Sequence, residues 1–157
     1  MSDNSIFDPA MLMDQQFADA NSTVRLPIPE GEFPAVIKET KLRVVNSKDQ
    51  TKTYLFLEVT WDLDSQELKD QLDRTDVTCR QSIILDCTSD GRIDMGKGKN
   101  IGLGRLREAL GMNVPGQPFS FSMLAGAGPA KVSVKHRAAE NDPEIVYDEV
   151  RGVAKLD

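Results

Sequence analysis

Between Thr53 and Leu63 apolar and polar residues alternate with period two. Leu55, Leu57, Val59, Trp61 and Leu63 fall on one face, and Tyr54, Phe56, Glu58, Thr60 and Asp62 on the other. Such alternation predicts a half-buried β-strand. The odd face must be the core, which leaves two aromatics pointing outward. The preceding run, Glu32 to Val45, places Phe33, Ala35 and Ile37 on one face and then changes parity, so that Leu42 and Val44 point the same way. A parity change inside a strand predicts a bulge or a sharp coil, as in the long first strand of a small closed barrel. NSKDQTK between the two runs reads as a polar hairpin loop.

Further along, Asp64 with Glu67 forms a capping-box pattern before SQELKDQL, and Leu68 and Leu72 lie one turn apart, so a short acidic helix is expected. VTCRQSIILDC again puts odd positions inward: Val77, Cys79, Ile83, Leu85 and Cys87. Gln81 is the polar exception and needs a hydrogen-bond partner. Asn100 is a plausible N-cap for a helix in which Leu103, Leu106 and Leu110 recur at helical spacing, with Gly111 and Pro115 as its stop. PFSFSML and KVSVKHR read as strands flanking the glycine-rich loop LAGAGPA. IVYDEVRGVAKL closes the chain with Val146, Asp148 and Val150 on one face. Three strands, a helix and two closing strands give a mainly β fold: a small five-stranded Greek-key barrel of the OB type, with the helix between strands three and four as its cap.

The first thirty residues read as an arm, and 31 to 157 as the barrel domain. Asp8 and Pro9 make an N-cap and N1 pair, Met13 and Phe17 are four apart, and Asn21 ends a helix of little more than three turns, marginal alone. VRLPIPEG then enforces an extended approach to the domain. Such an arm serves as a flexible tail or packs on a neighbouring subunit.

Composition narrows the chemistry. With 157 residues and 39% apolar positions the chain can build one domain with a real core plus a loosely packed extension. The N-terminus lacks the basic region of a signal peptide and no apolar run is long enough to span a bilayer, so no membrane association is expected. Cys79 and Cys87, eight residues apart on one strand, would be separated by about 26 Å and cannot bridge each other. With one histidine and no metal-ligand spacing, no metal or cofactor is expected. No nucleophile and base are paired in sequence, and the cysteines fall at core parity, so catalysis is not expected.

The net charge of -6 argues at first against nucleic acid, but the charge is unevenly placed. Residues 1 to 32 hold six acids against Arg25 alone, whereas Arg92 to Arg137 holds eight bases and two acids. A protein with one basic face can bind phosphates; scattered solvated charge would give the same count. Within the basic stretch, DMGKGKNIGLGRLREALGM fails the phosphate-loop motif because Asn100 stands where a hydroxyl residue is needed, and fails the dinucleotide motif because Ile101 stands where glycine is needed. Lys97, Lys99, Arg105 and Arg107 remain as an anion contact at a helix start, while Gly102 and Gly104 serve equally well for close helix packing.

The second candidate surface is Tyr54, Phe56 and Lys52 on the second strand with Lys38, Lys41 and Arg43 on the first. Bases stack on aromatics while cations follow the phosphates; the same aromatics could instead cover a second small core or a subunit contact. Lys131, Lys135 and Arg137 form an outward basic stripe, which a solvated edge strand would also show.

EGEFPAVIKETKLRV, KTYLFLEVTWDL and GKGKNIGLGRLREALGMNVPGQPF, in that order, resemble the layout of phage-encoded single-stranded DNA-binding proteins of replication and recombination modules. The resemblance runs from about Pro29 to Leu156. It implies an OB-fold, sequence-tolerant binding of single-stranded DNA, oligomerisation or association with other phage proteins, and a location in the host cytoplasm. By position it carries the contacts to Tyr54, Phe56 and the cations of the first two strands. The chain departs from the pattern by ending RGVAKLD without an acidic tail; its acidic extension is N-terminal instead. The alternative is a virion protein, such as a capsid-decorating β-barrel or an assembly protein, that uses the arm to reach a neighbour. A third reading is a regulatory OB-like domain that binds protein only.

Overall fold

In the computed structural model, which describes residues 6–157, five strands form one antiparallel sheet. After a short helix α1 (Pro9–Met13) come β1 (Gly31–Asn46), β2 (Thr53–Leu63), α2 (Gln66–Leu72), β3 (Thr78–Leu85), α3 (Ile101–Ala109), a 3-10 turn at Phe121–Met123, β4 (Ala130–Ala138) and β5 (Val146–Lys155). The strand order is β3-β2-β1-β4-β5. Because β4 returns to lie beside β1, the first four strands have the spatial order of a Greek key. The ladder ends at β3 and at β5, yet these two edges face each other: Cys79 Sγ on β3 lies 3.7 Å from Asp148 Oδ1 on β5.

The odd face of β2 is the core. Leu57, Val59, Trp61 and Leu63 are all fully buried, with Ala35 and Ile37 of β1, Val132 and Val134 of β4, and Leu103 and Leu106 of α3 around them. Gln81 has the partner its position demanded, accepting a 2.9 Å hydrogen bond from the Trp61 indole N–H at Oε1. The register of β1 on β2 slips between Ile37 and Glu39, leaving Lys38 in a bulge. The cause is local: the Ile37 N–H donates to the Ala127 carbonyl and the Ile37 carbonyl accepts from Gly126. That loop lies so close to β1 that a Cβ on Gly128 would stand 3.0 Å from the Ala35 carbonyl oxygen, which accounts for Gly128, while Gly126 serves a left-handed turn at φ 81°.

Several expectations are corrected. PFSFSML is not a strand; its backbone turns on itself, Met123 N–H to the Ser120 carbonyl, because the edge of β1 is already taken by β4 and the 126–127 loop. Phe119 and Phe121 still pack on the core, edge to face at 6.0 Å. Cys87 is exposed, beyond the end of β3, while Cys79 is buried. Asn100 holds the N-cap position of α3, its carbonyl accepting from the Gly104 N–H, but its side chain makes no capping bond. It adopts a left-handed conformation at φ 54°, its Oδ1 accepts from the Asp86 N–H, and its Nδ2 donates to the carbonyls of Asp86 and Asp94, tying the end of β3 to the start of the helix. The cap of α2 is Ser65 rather than Asp64. Helix α1 spans five residues and stops short of Phe17, as a three-turn segment without a packed face is unstable alone.

The core also reaches back to Ile28, which is fully buried. Its N–H donates to Asp148 Oδ2 at 2.7 Å and its carbonyl accepts from His136 Nε2 at 2.6 Å, while Glu30 accepts from the His136 backbone N–H. The last of these bonds is the main cause holding the Glu30 carboxyl below its ordinary range. The end of the arm is thus fastened across the end of β4 and the start of β5, and the Arg74 guanidinium, ahead of β3, donates to the Leu26 carbonyl. Burial, with Asp148 nearby, pushes the Cys79 thiol up to about 12.

Candidate nucleic-acid interface

The even face of β2 faces solvent and carries the outward aromatics. The bulge at Lys38 resets the parity of β1 so that Glu39, Lys41, Arg43 and Val45 share this face; β3 adds Arg80, Ser82 and Ile84. Cross-strand neighbours stand in rows: Arg43, Phe56 and Ile84 in one, Lys41, Glu58 and Ser82 in the next, Val45 and Tyr54 at the hairpin end. Tyr54 is 37% exposed and Ile84 51%, and Phe56 lies half-buried between its two neighbours. The Arg43 guanidinium stands 5.9 Å from the Phe56 ring centroid, within cation–π reach.

Glu58 occupies the centre of this face and engages Lys41 and Arg43, the two cations that β1 presents on it. Its carboxylate takes Arg43 Nε at 2.6 Å and Lys41 Nζ at 3.7 Å. The two bases are therefore oriented, and partly neutralised, before any ligand arrives. Lys38 in the bulge and Lys52 at the start of the returning strand are exposed and make no ion pair among the described residues. The loop between them is ordered by Asp49, which accepts from Ser47 Oγ, Thr51 Oγ1 and the Thr51 N–H; these bonds bring its carboxyl down to about 2.

The hairpin extends past the core. Leu42 and Val44 share the core-side face with Leu55 and Leu57, as the parity requires, but are 48% and 65% exposed because nothing beneath them continues the core.

The remaining candidates form two separate groups. Lys97, Lys99 and Arg105 are exposed around the start of α3. Arg107 is committed elsewhere: its Nε and one terminal nitrogen donate to the Met112 carbonyl at 3.2 and 3.0 Å, and its guanidinium lies 4.4 Å from the Phe119 ring centroid, closing the helix end. On β4, Lys131 pairs with Glu32 and Arg137 with Glu149, with Arg137 also over Tyr147; Lys135 faces Glu149 in the register and is exposed. Pro34, the β1 partner of Lys131, lies nine residues from Arg43, about 30 Å of extended strand. The β4 stripe is thus distant from the aromatics and balanced by acids.

Sequence reasoning missed Ile84 and Arg80 as members of the aromatic face. The signal was present, since the same odd-inward parity that buries Cys79 and Ile83 turns Arg80, Ser82 and Ile84 outward. It also missed that Glu58 would serve two cations, because an ion pair across two strands depends on register rather than on sequence distance. Among the described residues no group of acids, cysteines and histidine converges to hold a metal, and no helix is long and apolar enough to cross a membrane. No protein-family model matches the chain, and no curated protein matches it in sequence.

Proposed function

We propose that this protein binds single-stranded DNA without strong sequence preference on the outer face of β1, β2 and β3, and that it serves phage DNA replication or recombination in the host cytoplasm. The observation that supports this most is the placement of Tyr54, Phe56 and Ile84 on the solvent side of strands whose other side is the core, beside Arg43 and Lys41. Exposed rings on a rigid sheet offer bases a stacking surface worth about 1–3 kcal/mol per base, and sequence plays little part because every base has a π-face. Glu58 holds Arg43 and Lys41 in position, and a phosphate competes with its carboxylate for them. Lys38 and Lys52 extend the cationic path along the hairpin. The strand order and the facing edges of β3 and β5 favour a barrel of the OB type. The protein carries out no chemistry on the strand under this reading and needs no cofactor.

The net charge of -6 makes affinity modest and strongly dependent on salt. Fluorescence-anisotropy titrations with single-stranded and duplex oligonucleotides at two salt concentrations test the proposal. Tighter binding of the single strand, weakening as salt rises, is expected; no binding at low salt overturns it.

The arm favours a second reading. Met11, Met13 and Phe17 are 75%, 84% and 72% exposed, more apolar surface than a solvated tail needs, and a virion or assembly protein would use it to hold a neighbour. Under that reading removal of the arm abolishes assembly, and substitution of Tyr54 and Phe56 leaves it intact.

A further inference from the structure

Among the described residues, the arm and helix α3 present complementary surfaces, and neither covers the other. Every described residue from Ile6 to Leu26 is exposed, and Met11, Met13 and Phe17 lie among the acids Asp8, Asp14 and Asp19. On the opposite count, α3 borders a groove of about 360 Å³ with Ile93, Met95, Ile101 and Leu103 as its apolar lining and Lys99 and Arg105 as exposed cations on it. Arg107, held by the Met112 carbonyl, is its third cation, and Asp94 and Glu108 are its two acids, so the lining carries a small positive excess; Asp94 is also engaged by the Gly96 N–H. Met95 and Ile101 are 79% and 54% exposed, so this apolar surface is uncovered.

We infer that the acidic, apolar arm of one copy docks in the basic, apolar groove beside α3 of a second copy. Charge is opposite on the two surfaces, and each presents apolar side chains of similar size. Reach permits it: the eleven residues from Phe17 to the anchored Ile28 extend up to about 36 Å, against a radius of gyration of about 14 Å for a domain of this size. Pro27 and Pro29 around the anchor keep the chain extended where it leaves the domain. Each copy then both gives an arm and receives one, which closes as a dimer when two copies exchange arms and as a larger ring or a filament when successive copies link. Docking also supplies the packed face that α1 lacks. The helix lengthens beyond Met13 so that Met13 and Phe17, four apart, lie on one side of it.

The inference is independent of DNA binding, and its test contains no nucleic acid. Sedimentation velocity of the full chain over a wide concentration range is expected to show mass increasing with concentration, with a parallel rise in helical circular dichroism. Met13→Asp with Phe17→Asp, and separately Lys99→Glu with Arg105→Glu, each weaken association by more than about tenfold. All four positions are exposed, and buried Trp61 fluorescence reports that the domain stays folded. Mixing the Lys99→Glu/Arg105→Glu chain with an Asp14→Lys/Asp19→Lys chain restores association that neither shows alone. A wild-type chain that stays monomeric throughout, including one whose arm folds onto its own groove, overturns the inference. So does self-association that both pairs of substitutions leave unchanged, or a mixture that fails to associate.

Discussion

The two ends of the β1–β2 hairpin share one inward face and have opposite fates. At the end where Ala35 pairs with Leu63 and Ile37 with Trp61, the inward residues are fully buried beneath α3, β3 and β4. At the other end Val44 pairs with Leu55 and Leu42 with Leu57; Leu42 and Val44 are largely exposed although they stand on the same face. Strand formation is indifferent to this change, because past the bulge at Lys38 backbone pairing continues from Glu39 and Thr60 to Asn46 and Thr53. The comparison separates two roles that hydrophobic patterning alone merges. Apolar residues over the core stabilise the fold, whereas apolar and aromatic residues beyond it are surface offered to something else.

The sharpest way to break the comparison is to truncate at each end. Trp61→Ala removes a fully buried indole and is expected to cost about 3–5 kcal/mol, read by urea or thermal unfolding. Gln81→Leu leaves the indole N–H of Trp61 without its acceptor and costs about 1–3 kcal/mol in the same assay. Tyr54→Ala, at the projecting end, stays within about 0.5 kcal/mol of the wild type. Equal costs for Trp61→Ala and Tyr54→Ala would show that the hairpin tip is core after all.

Smaller effects sharpen the electrostatics of the projecting end. Glu58→Gln removes the charge that competes with phosphate for Arg43 and Lys41. One unit charge about 6 Å away in a water-like dielectric is worth about 0.7 kcal/mol, so single-stranded DNA is expected to bind about threefold tighter at low salt. Unchanged affinity in an anisotropy titration would mean that the phosphates lie elsewhere. The smallest effect concerns the tip of the hairpin. The Asp49 carboxyl, lowered to about 2 from 3.8 by bonds from Ser47 and Thr51, contributes order that is fully present above about pH 4 and is lost as pH falls toward 2. Amide exchange or chemical shifts of Ser47 to Thr51 should change in that window while the signals of Trp61 hold.

Much of this was legible in the sequence. Period-two alternation located β2 and its core face; the parity change at Ile37–Glu39 announced the bulge; odd-inward parity in β3 demanded a partner for Gln81, and Trp61 provides it. What alternation could not convey is where the core ends, since Leu42 and Leu57 are chemically alike and differ only in what lies beneath them. Local patterns also misled where longer-range bonds prevailed. Asn100 stands at the N-cap as expected, yet two carbonyls and an N–H around Asp86 and Asp94 engage its side-chain amide in place of the helix N–H groups. PFSFSML alternates like a strand, but the edge it would have joined was already filled. Of the candidate contacts, Tyr54, Phe56, Lys41 and Arg43 converge on one face. Arg107 proved to be a helix-closing residue and Lys131 and Arg137 proved to be paired with acids, facts that depend on register and tertiary neighbours.

Under the proposed function, the projecting outer face binds single strands through its rings. Its most direct test is an anisotropy titration of a fluorescent single-stranded oligonucleotide with the wild type and with Tyr54→Ala/Phe56→Ala at low salt, with unfolding curves confirming that both are native. Loss of two stacking contacts of about 1–3 kcal/mol each is expected to weaken binding by at least about tenfold. Binding by the double variant as tight as that of the wild type would contradict the account.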